Sequence, residues 1–222
     1  MNLVLCGVNG AMGKVLLEEM ETYENIKYIG ALSPRNGNRG QNIKEKPHAV
    51  IDFSHTSNLE FLLEYSIEKN CALLICTTGF NDEDKEKIKE AGKYIPVMLS
   101  SNTSFGVNAL RKIVKSISTN LNGFGIDIVE RHHNKKIDTP SGTAKTLVED
   151  IKEVTGRENV NTYSLRAGSI PGEHSVIFSG VDEILEIKHV AYSKKIFARG
   201  ALDLIQKLYL KEPGFYLTED FF

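Results

Sequence analysis

The sequence has no long apolar run, no excess of either charge and very little cysteine, and each shortage removes a class of function. A membrane-spanning helix needs about 20 consecutive apolar residues, and no stretch of the 222 residues approaches that. Lysine and arginine number 27 against 29 aspartates and glutamates, a formal net charge of -2. That balance gives neither the basic footprint of a nucleic-acid binder nor a polybasic membrane patch. Cys6, Cys71 and Cys76 are odd in number and lack framework spacing, and each lies in or beside an apolar run. They read as buried free thiols in a reducing cytosol. Met1-Asn2 leads straight into a strand-like run with no signal-peptide pattern. There are no internal repeats and no low-complexity segments. What remains is an ordinary soluble composition, 41% hydrophobic and 25% charged, enough for one large domain or two modest ones.

The densest chemistry lies in Glu130-Arg131-His132-His133-Asn134-Lys135-Lys136-Ile137-Asp138-Thr139-Pro140-Ser141-Gly142-Thr143-Ala144. A strand-like run, Gly125 to Val129, precedes it, and an amphipathic helix pattern from Ala144 to Val154 comes after it. A polar cluster between a strand and a helix is a common place for chemistry in α/β proteins. A solvated charged loop would explain the lysines, but it explains a His-His pair followed by a helix-capping Ser/Thr turn less well.

The N-terminal third has the alternation of a parallel α/β domain. Leu3 to Cys6 reads as a strand and runs into Gly7-Val8-Asn9-Gly10-Ala11-Met12-Gly13, followed by a helical pattern from Lys14 to Met20. Glycines at 7, 10 and 13 allow a tight turn, a close approach by a pyrophosphate, and close packing of helix on sheet. After a second strand, Tyr28 to Leu32, an acid that reads the adenine ribose usually stands about twenty residues past the glycines. Here the position holds Ser33, followed by Pro34-Arg35. With no carboxylate to repel a 2'-phosphate and Arg35 able to pair with one, the sequence leans toward accepting NADPH beside NADH. Further strands are expected at Ala49 to Phe53, Ala72 to Cys76 and Ile95 to Leu99, making five. Their exits are Ser54-His55-Thr56-Ser57, Thr77-Thr78-Gly79-Phe80 and Ser100-Ser101-Asn102-Thr103. Strand exits of this kind form the ligand crevice of such sheets.

From Phe124 the pattern changes to α+β. Strands are expected at Asn161 to Arg166, Glu173 to Ser179 and Glu183 to Tyr192, in an antiparallel or mixed sheet. A helix from Lys195 to Leu210 and a short aromatic tail, Phe215 to Phe222, close the chain. The expected domains are 1–103 for dinucleotide binding and 104–198 for substrate binding and oligomerisation, with 199–222 returning to the first.

His132 and His133 can move protons near neutral pH, and Lys136 can donate a proton or hold a carboxylate. Ser141-Gly142-Thr143 at a helix start offers donors suited to a carboxylate. Glu130 and Asp138 read as residues that orient the loop. His174 and His189 read equally well as internally bonded or strand-end histidines. Adjacent histidines lack a helical metal-ligand spacing, so no metal is expected. The combination predicts reduction of a small acidic substrate. A nucleotide-sensing protein that binds NAD(P)H without turnover, a different nicotinamide oxidoreductase and a scaffold protein stay open as alternatives.

At these residues the chain resembles the dihydrodipicolinate reductase family. It supplies every fixed residue of the family's E-x-H-H-x-x-K-x-D-x-P-S-G-T-A run, Glu130 through Ala144. It also supplies the glycine loop with Met12, the Thr77–Phe80 turn, Asn102 to Asn108, Arg166 to His174 and Phe197 to Ala201. The resemblance implies a Rossmann-like parallel sheet domain with a C-terminal α+β domain. It further implies NADPH or NADH as cofactor and reduction of 4-hydroxy-tetrahydrodipicolinate with loss of water, in lysine biosynthesis by the diaminopimelate route. By motif, His132 and Lys136 would be catalytic, and His133, Ser141, Gly142, Thr143 and Lys194 would bind substrate. Gly7, Val8, Asn9, Gly10, Ala11, Met12, Ser33, Arg35, Thr77, Thr78, Ser100, Ser101, Asn102 and Thr103 would line the cofactor site. A small dicarboxylate substrate and a cytoplasmic homotetramer are also implied. The chain departs from the family's usual residues at Ala11, Cys76, Thr103, Ser33-Pro34-Arg35 and Lys194, and is shorter between the second and third strands.

Overall fold

A computed structural model describes residues 1–221; Phe222, the end of the aromatic tail, lies outside them. The chain divides into two compact units, one of residues 1–104 with 195–222 and one of residues 105–194. Both boundaries fall at helix starts. The returning segment begins at Lys195, the first residue of the final helix.

The first unit opens with β1 (Asn2–Cys6), α1 (Ala11–Met20) and β2 (Lys27–Leu32). It continues through β3 (Ala49–Asp52), α2 (Leu59–Lys69), β4 (Ala72–Ile75), α3 (Asp82–Ala91) and β5 (Pro96–Leu99). The second unit contains α4 (Phe105–Asn120), β6 (Gly125–His132), α5 (Gly142–Thr155), β7 (Asn161–Arg166), β8 (Gly172–Ser179) and β9 (Ile184–Ala191). The chain then returns with α6 (Lys195–Leu208) and β10 (Gly214–Tyr216).

The first sheet is parallel throughout, in the order β10-β5-β4-β3-β1-β2. Its central strands are buried along their whole length, as a parallel sheet covered on both faces requires. Alternation along β1 sends Leu3 and Leu5 to one face, with Leu16 of α1 and Leu202 and Ile205 of α6. Val4 and Cys6 go to the other face, with Leu62 of α2 and Ile88 of α3. Each such leucine or isoleucine removed from water contributes about 1.5–3 kcal/mol. At Gly200 in α6 a Cβ would stand 1.8 Å from the Thr103 carbonyl oxygen, so the helix packs there backbone to backbone.

Several boundaries differ from the expectation. The sheet has a sixth strand, β10, which the break at Pro213-Gly214 hid, since the strand begins at Gly214 itself. The first helix starts at Ala11 and not Lys14, because Gly10 is its extended N-cap and the Lys14 amide bonds the Gly10 carbonyl. The His55 ring caps a short 3-10 turn, Thr56–Asn58, before α2. The last helix ends at Leu208. α5 begins at Gly142, capped by Ser141.

The second sheet is mixed, in the order β7-β6-β8-β9. β6 and β7 are parallel, as strands joined through a crossover helix such as α5 must be, and the other pairs are antiparallel. One face buries Ile126, Ile128, Val176 and Phe178 against Leu110 and Val114 of α4 and Leu147 and Ile151 of α5. Arg111 of α4 grips Asp150 of α5 through two bonds of 2.7 and 2.9 Å. The other face leaves Tyr163 and Leu165 of β7 exposed. No helix among the described residues is long and apolar enough to cross a membrane.

Candidate active site

In the first unit, the expected cofactor residues gather at the C-terminal ends of the parallel strands. Gly7 takes a φ of +92°, and a Cβ there would sit 2.3 Å from the Phe53 carbonyl oxygen. A Cβ at Gly13 would sit 2.2 Å from the Gly7 carbonyl oxygen. Both positions therefore require glycine. No side chain among the described residues caps α1 and its first turn carries no acid, so its N-terminal amides suit a phosphate. A cavity of about 400 Å³ opens beside this loop, lined among others by Gly7, Gly10, Ser33, Arg35 and Ser54. A second, of about 560 Å³, is lined by Gly10, Ala11, Met12, Cys76, Thr77 and Thr78 among others. Glycine cradle, helix start and paired cavities fit a dinucleotide. Arg35 is exposed at the rim of the smaller cavity, and among the described residues no carboxylate lines that cavity.

Not every expected cofactor residue faces a cavity. The Ser100 hydroxyl accepts a 2.8 Å bond from Thr218, and the Thr103 hydroxyl donates a 2.6 Å bond to the Phe197 carbonyl. Both residues are buried and join strand exits to the returning segment. They shape the exit of β5 from inside, while Ser101 is exposed and the Asn102 side chain accepts from the Ser104 amide. Thr77 lines the larger cavity, and its hydroxyl accepts from the Ser54 amide at 2.9 Å. Beneath these loops, Asp52 is fully buried at the end of β3 and accepts from the Ser54 hydroxyl. Burial pushes its carboxyl up, against the pull of its hydrogen bonds.

In the second unit, alternation along β6 puts Glu130 and His132 on the same core-facing side as Ile126 and Ile128. Glu130 has no exposure and is met by four donors. Arg166 of β7 reaches it with both Nη atoms at 2.8 Å, and His132 Nδ1 lies 2.5 Å away. The Ser141 amide completes the set at 3.2 Å. Burial alone would raise this carboxyl, yet bonding from Arg166 and His132 overcomes it and holds it down at about 2. Glu130 is thus an anion, and His132 carries its proton on Nδ1 toward it. Burial lowers the His132 basicity, and Glu130 works against that loss.

Ser141 lies buried between this carboxylate and His174. Its hydroxyl accepts from the Ala144 amide at 3.2 Å and stands 3.0 Å from His174 Nε2. That turns the hydroxyl inward. Ser141 holds the start of α5 in place and does not itself face outward as a ligand, whereas Gly142 is exposed and Thr143 partly so. His133 follows the end of β6, is partly exposed, and its amide donates to the Ile170 carbonyl at 2.8 Å. Lys136 pairs with Asp138 at 2.8 Å in the loop between β6 and α5. Lys194 is exposed in the turn after β9 and takes no part in these bonds.

The structure adds two residues that sequence reasoning did not place. Arg166 anchors Glu130, and His174 meets the His132 ring edge-on with centroids 5.1 Å apart. Burial, helped by the nearby His132, drives His174 down to about 3. Their one sequence signal was the Arg-x-Gly-x-x-x-Gly-Glu-His run. Local spacing could not assign it, because the contacts depend on the pairing of β7 and β8 with β6.

Residues 1–103 match the family model described as "Dihydrodipicolinate reductase, N-terminus", and residues 106–222 match "Dihydrodipicolinate reductase, C-terminus". A 4-hydroxy-tetrahydrodipicolinate reductase of Brachyspira hyodysenteriae is 40% identical, over 98% of this chain and 98% of that protein. One of Clostridium novyi is 36% identical, over 98% and 96%. A dipicolinate-bound dihydrodipicolinate reductase from Paenisporosarcina sp. TG-14 shares the fold with a TM-score of 0.83. That match has 18% identity and covers 100% of this chain and 99% of the other.

The buried His132 and His174 and the half-buried His189 give the second unit a pH signature. The unfolded chain protonates histidine near its ordinary value, while folded His132, His174 and His189 resist protonation. Stability is therefore expected to fall as pH drops from about 6.5 toward 3. Urea unfolding across that range checks this, and His174→Gln should flatten part of the slope. The Glu130 contribution runs in the usual sense for an acid, present above about 4.3 and lost only near 2.

Proposed function

The chain belongs to the dihydrodipicolinate reductase family, and from that premise we propose that it reduces 4-hydroxy-tetrahydrodipicolinate to tetrahydrodipicolinate with loss of water. The reaction would serve the diaminopimelate route to lysine, in the cytoplasm. NADPH or NADH supplies a hydride when bound. The observation that carries the reading is His132, its Nδ1 fixed by a buried carboxylate, next to a helix start suited to binding carboxylates.

The residues divide the work. Glu130 fixes the tautomer of His132 and stabilises its imidazolium, so Nε2 is the atom left to hold or release a proton. Lys136 brings an ammonium to the same loop, its charge balanced by Asp138. His133, just past the end of β6, and Gly142 and Thr143, at the start of α5, would receive the acid groups of the substrate. In the first unit, Gly7, Gly10 and the α1 amides would hold the pyrophosphate, with Val8, Asn9, Ala11, Met12 and Thr78 around it. Arg35 and Ser33, with no acid between them, support acceptance of the 2'-phosphate of NADPH.

Replacing His132 or Lys136 with Ala should cut turnover by roughly a hundredfold or more while leaving the NADPH dissociation constant within a few-fold. Steady-state turnover of the pathway substrate, followed by nicotinamide absorbance, and fluorescence titration of NADPH check the two halves. Near-normal turnover in both variants would sink the assignment. Binding of NADPH with no turnover by the unmodified protein would point to a sensor instead.

A homotetramer is the proposed assembly. Its support is the second sheet's uncovered face, where Tyr163 is 56% and Leu165 49% exposed on a regular four-stranded sheet. Introducing glutamate at Tyr163 and Leu165 should shift the sedimentation profile to smaller species; an unchanged profile would place the interface elsewhere.

A further inference from the structure

His174 is buried, belongs to no step assigned above, and touches both halves of the site in the second unit. Its register on β8 sets it opposite Glu130 of β6 on one side and His189 of β9 on the other. Its Nε2 stands 3.0 Å from the Ser141 hydroxyl, the cap of α5. Its ring packs edge-on to His132. The Ser141 amide in turn bonds Glu130, which bonds His132. A histidine kept solely to fill core space would do so at a cost, because its Nδ1 is buried without a partner among the described residues.

We propose that His174 is a positioning residue: it fixes the Ser141 cap, so that the first turn of α5 presents its donors to a substrate carboxylate in a constant geometry, and it steadies the ring of His132. The proposal rests on the dicarboxylate-reductase reading. Ser141 has one proton and two lone pairs, and the Ala144 amide already uses one lone pair. The remaining bond, to His174, is what locks the hydroxyl. Glutamine can bring a polar nitrogen to about the place of Nε2, whereas asparagine is too short and leucine offers none.

The probe is dipicolinate, titrated into full-length protein, with NADPH titration run beside it. His174→Leu and His174→Asn should weaken dipicolinate binding roughly tenfold, the loss of one buried hydrogen bond, with NADPH affinity unchanged. His174→Gln should restore it to within about threefold. In a Ser141→Ala background, His174→Leu should add little, because the partner is already gone. Leu, Asn and Gln variants that all bind like the unmodified protein would overturn the proposal. So would an equal loss from His174→Leu with and without Ser141, which marks a packing role. If the unmodified protein binds NADPH but not dipicolinate, the substrate reading fails instead. A His174→Leu chain that does not fold leaves the Asn–Gln contrast to decide.

Discussion

The candidate site of the second unit is built around one fully buried carboxylate. Glu130 sits where no water reaches it, and an unpaired charge there would cost several kcal/mol. Four donors from three segments meet it: the Arg166 fork from β7, the His132 ring from its own strand, and the Ser141 amide from the start of α5. Each donor is also positioned by the contact. The guanidinium matches the carboxylate geometry in a way lysine could not, and the amide fixes where α5 begins. The His132 imidazole and the start of α5 are thereby referred to the same two oxygen atoms.

The first unit solves a different problem, that of bringing a polyanion close to main chain. It does so with steric exclusion. Gly7 and Gly13 each lie too near a carbonyl oxygen to tolerate a Cβ, and among the described residues α1 starts bare of side-chain caps and of acids in its first turn. The loops at the other strand exits are tied from within by Thr77 to Ser54, by Ser100 to Thr218 and by Thr103 to Phe197. The returning segment therefore contributes both the helix α6 and bonds that fix the exit of β5.

Much of this was legible in the chain. Apolar runs broken by a glycine loop gave the parallel sheet, since short-range alternation and glycine spacing are local properties. The Glu130 to Ala144 run carried the family resemblance, because it is one continuous stretch of sequence. The parts that were hidden depend on pairing between distant strands. Arg166 finds Glu130 only because β7 lies parallel to β6, and His174 finds Ser141 only because β8 lies antiparallel to it. Ser141, Ser100 and Thr103 look from their motifs like residues that face a ligand, yet each hydroxyl is spent inside. A hydroxyl's direction depends on which buried partner claims it, and that partner is remote in sequence. β10 was missed because three residues carry too little periodicity to register.

The central claim is that the Glu130 anion sets the state of His132. Glu130→Gln tests it most directly, because the amide keeps the shape while removing the charge and offering a donor to one of the donors it now faces. The pH dependence of kcat/KM, measured with a parallel NADPH titration, reads the outcome. The account predicts a loss of roughly a hundredfold or more, a shift in the pH profile and unaltered NADPH affinity. An amide variant with the unmodified protein's rate and pH profile would contradict it.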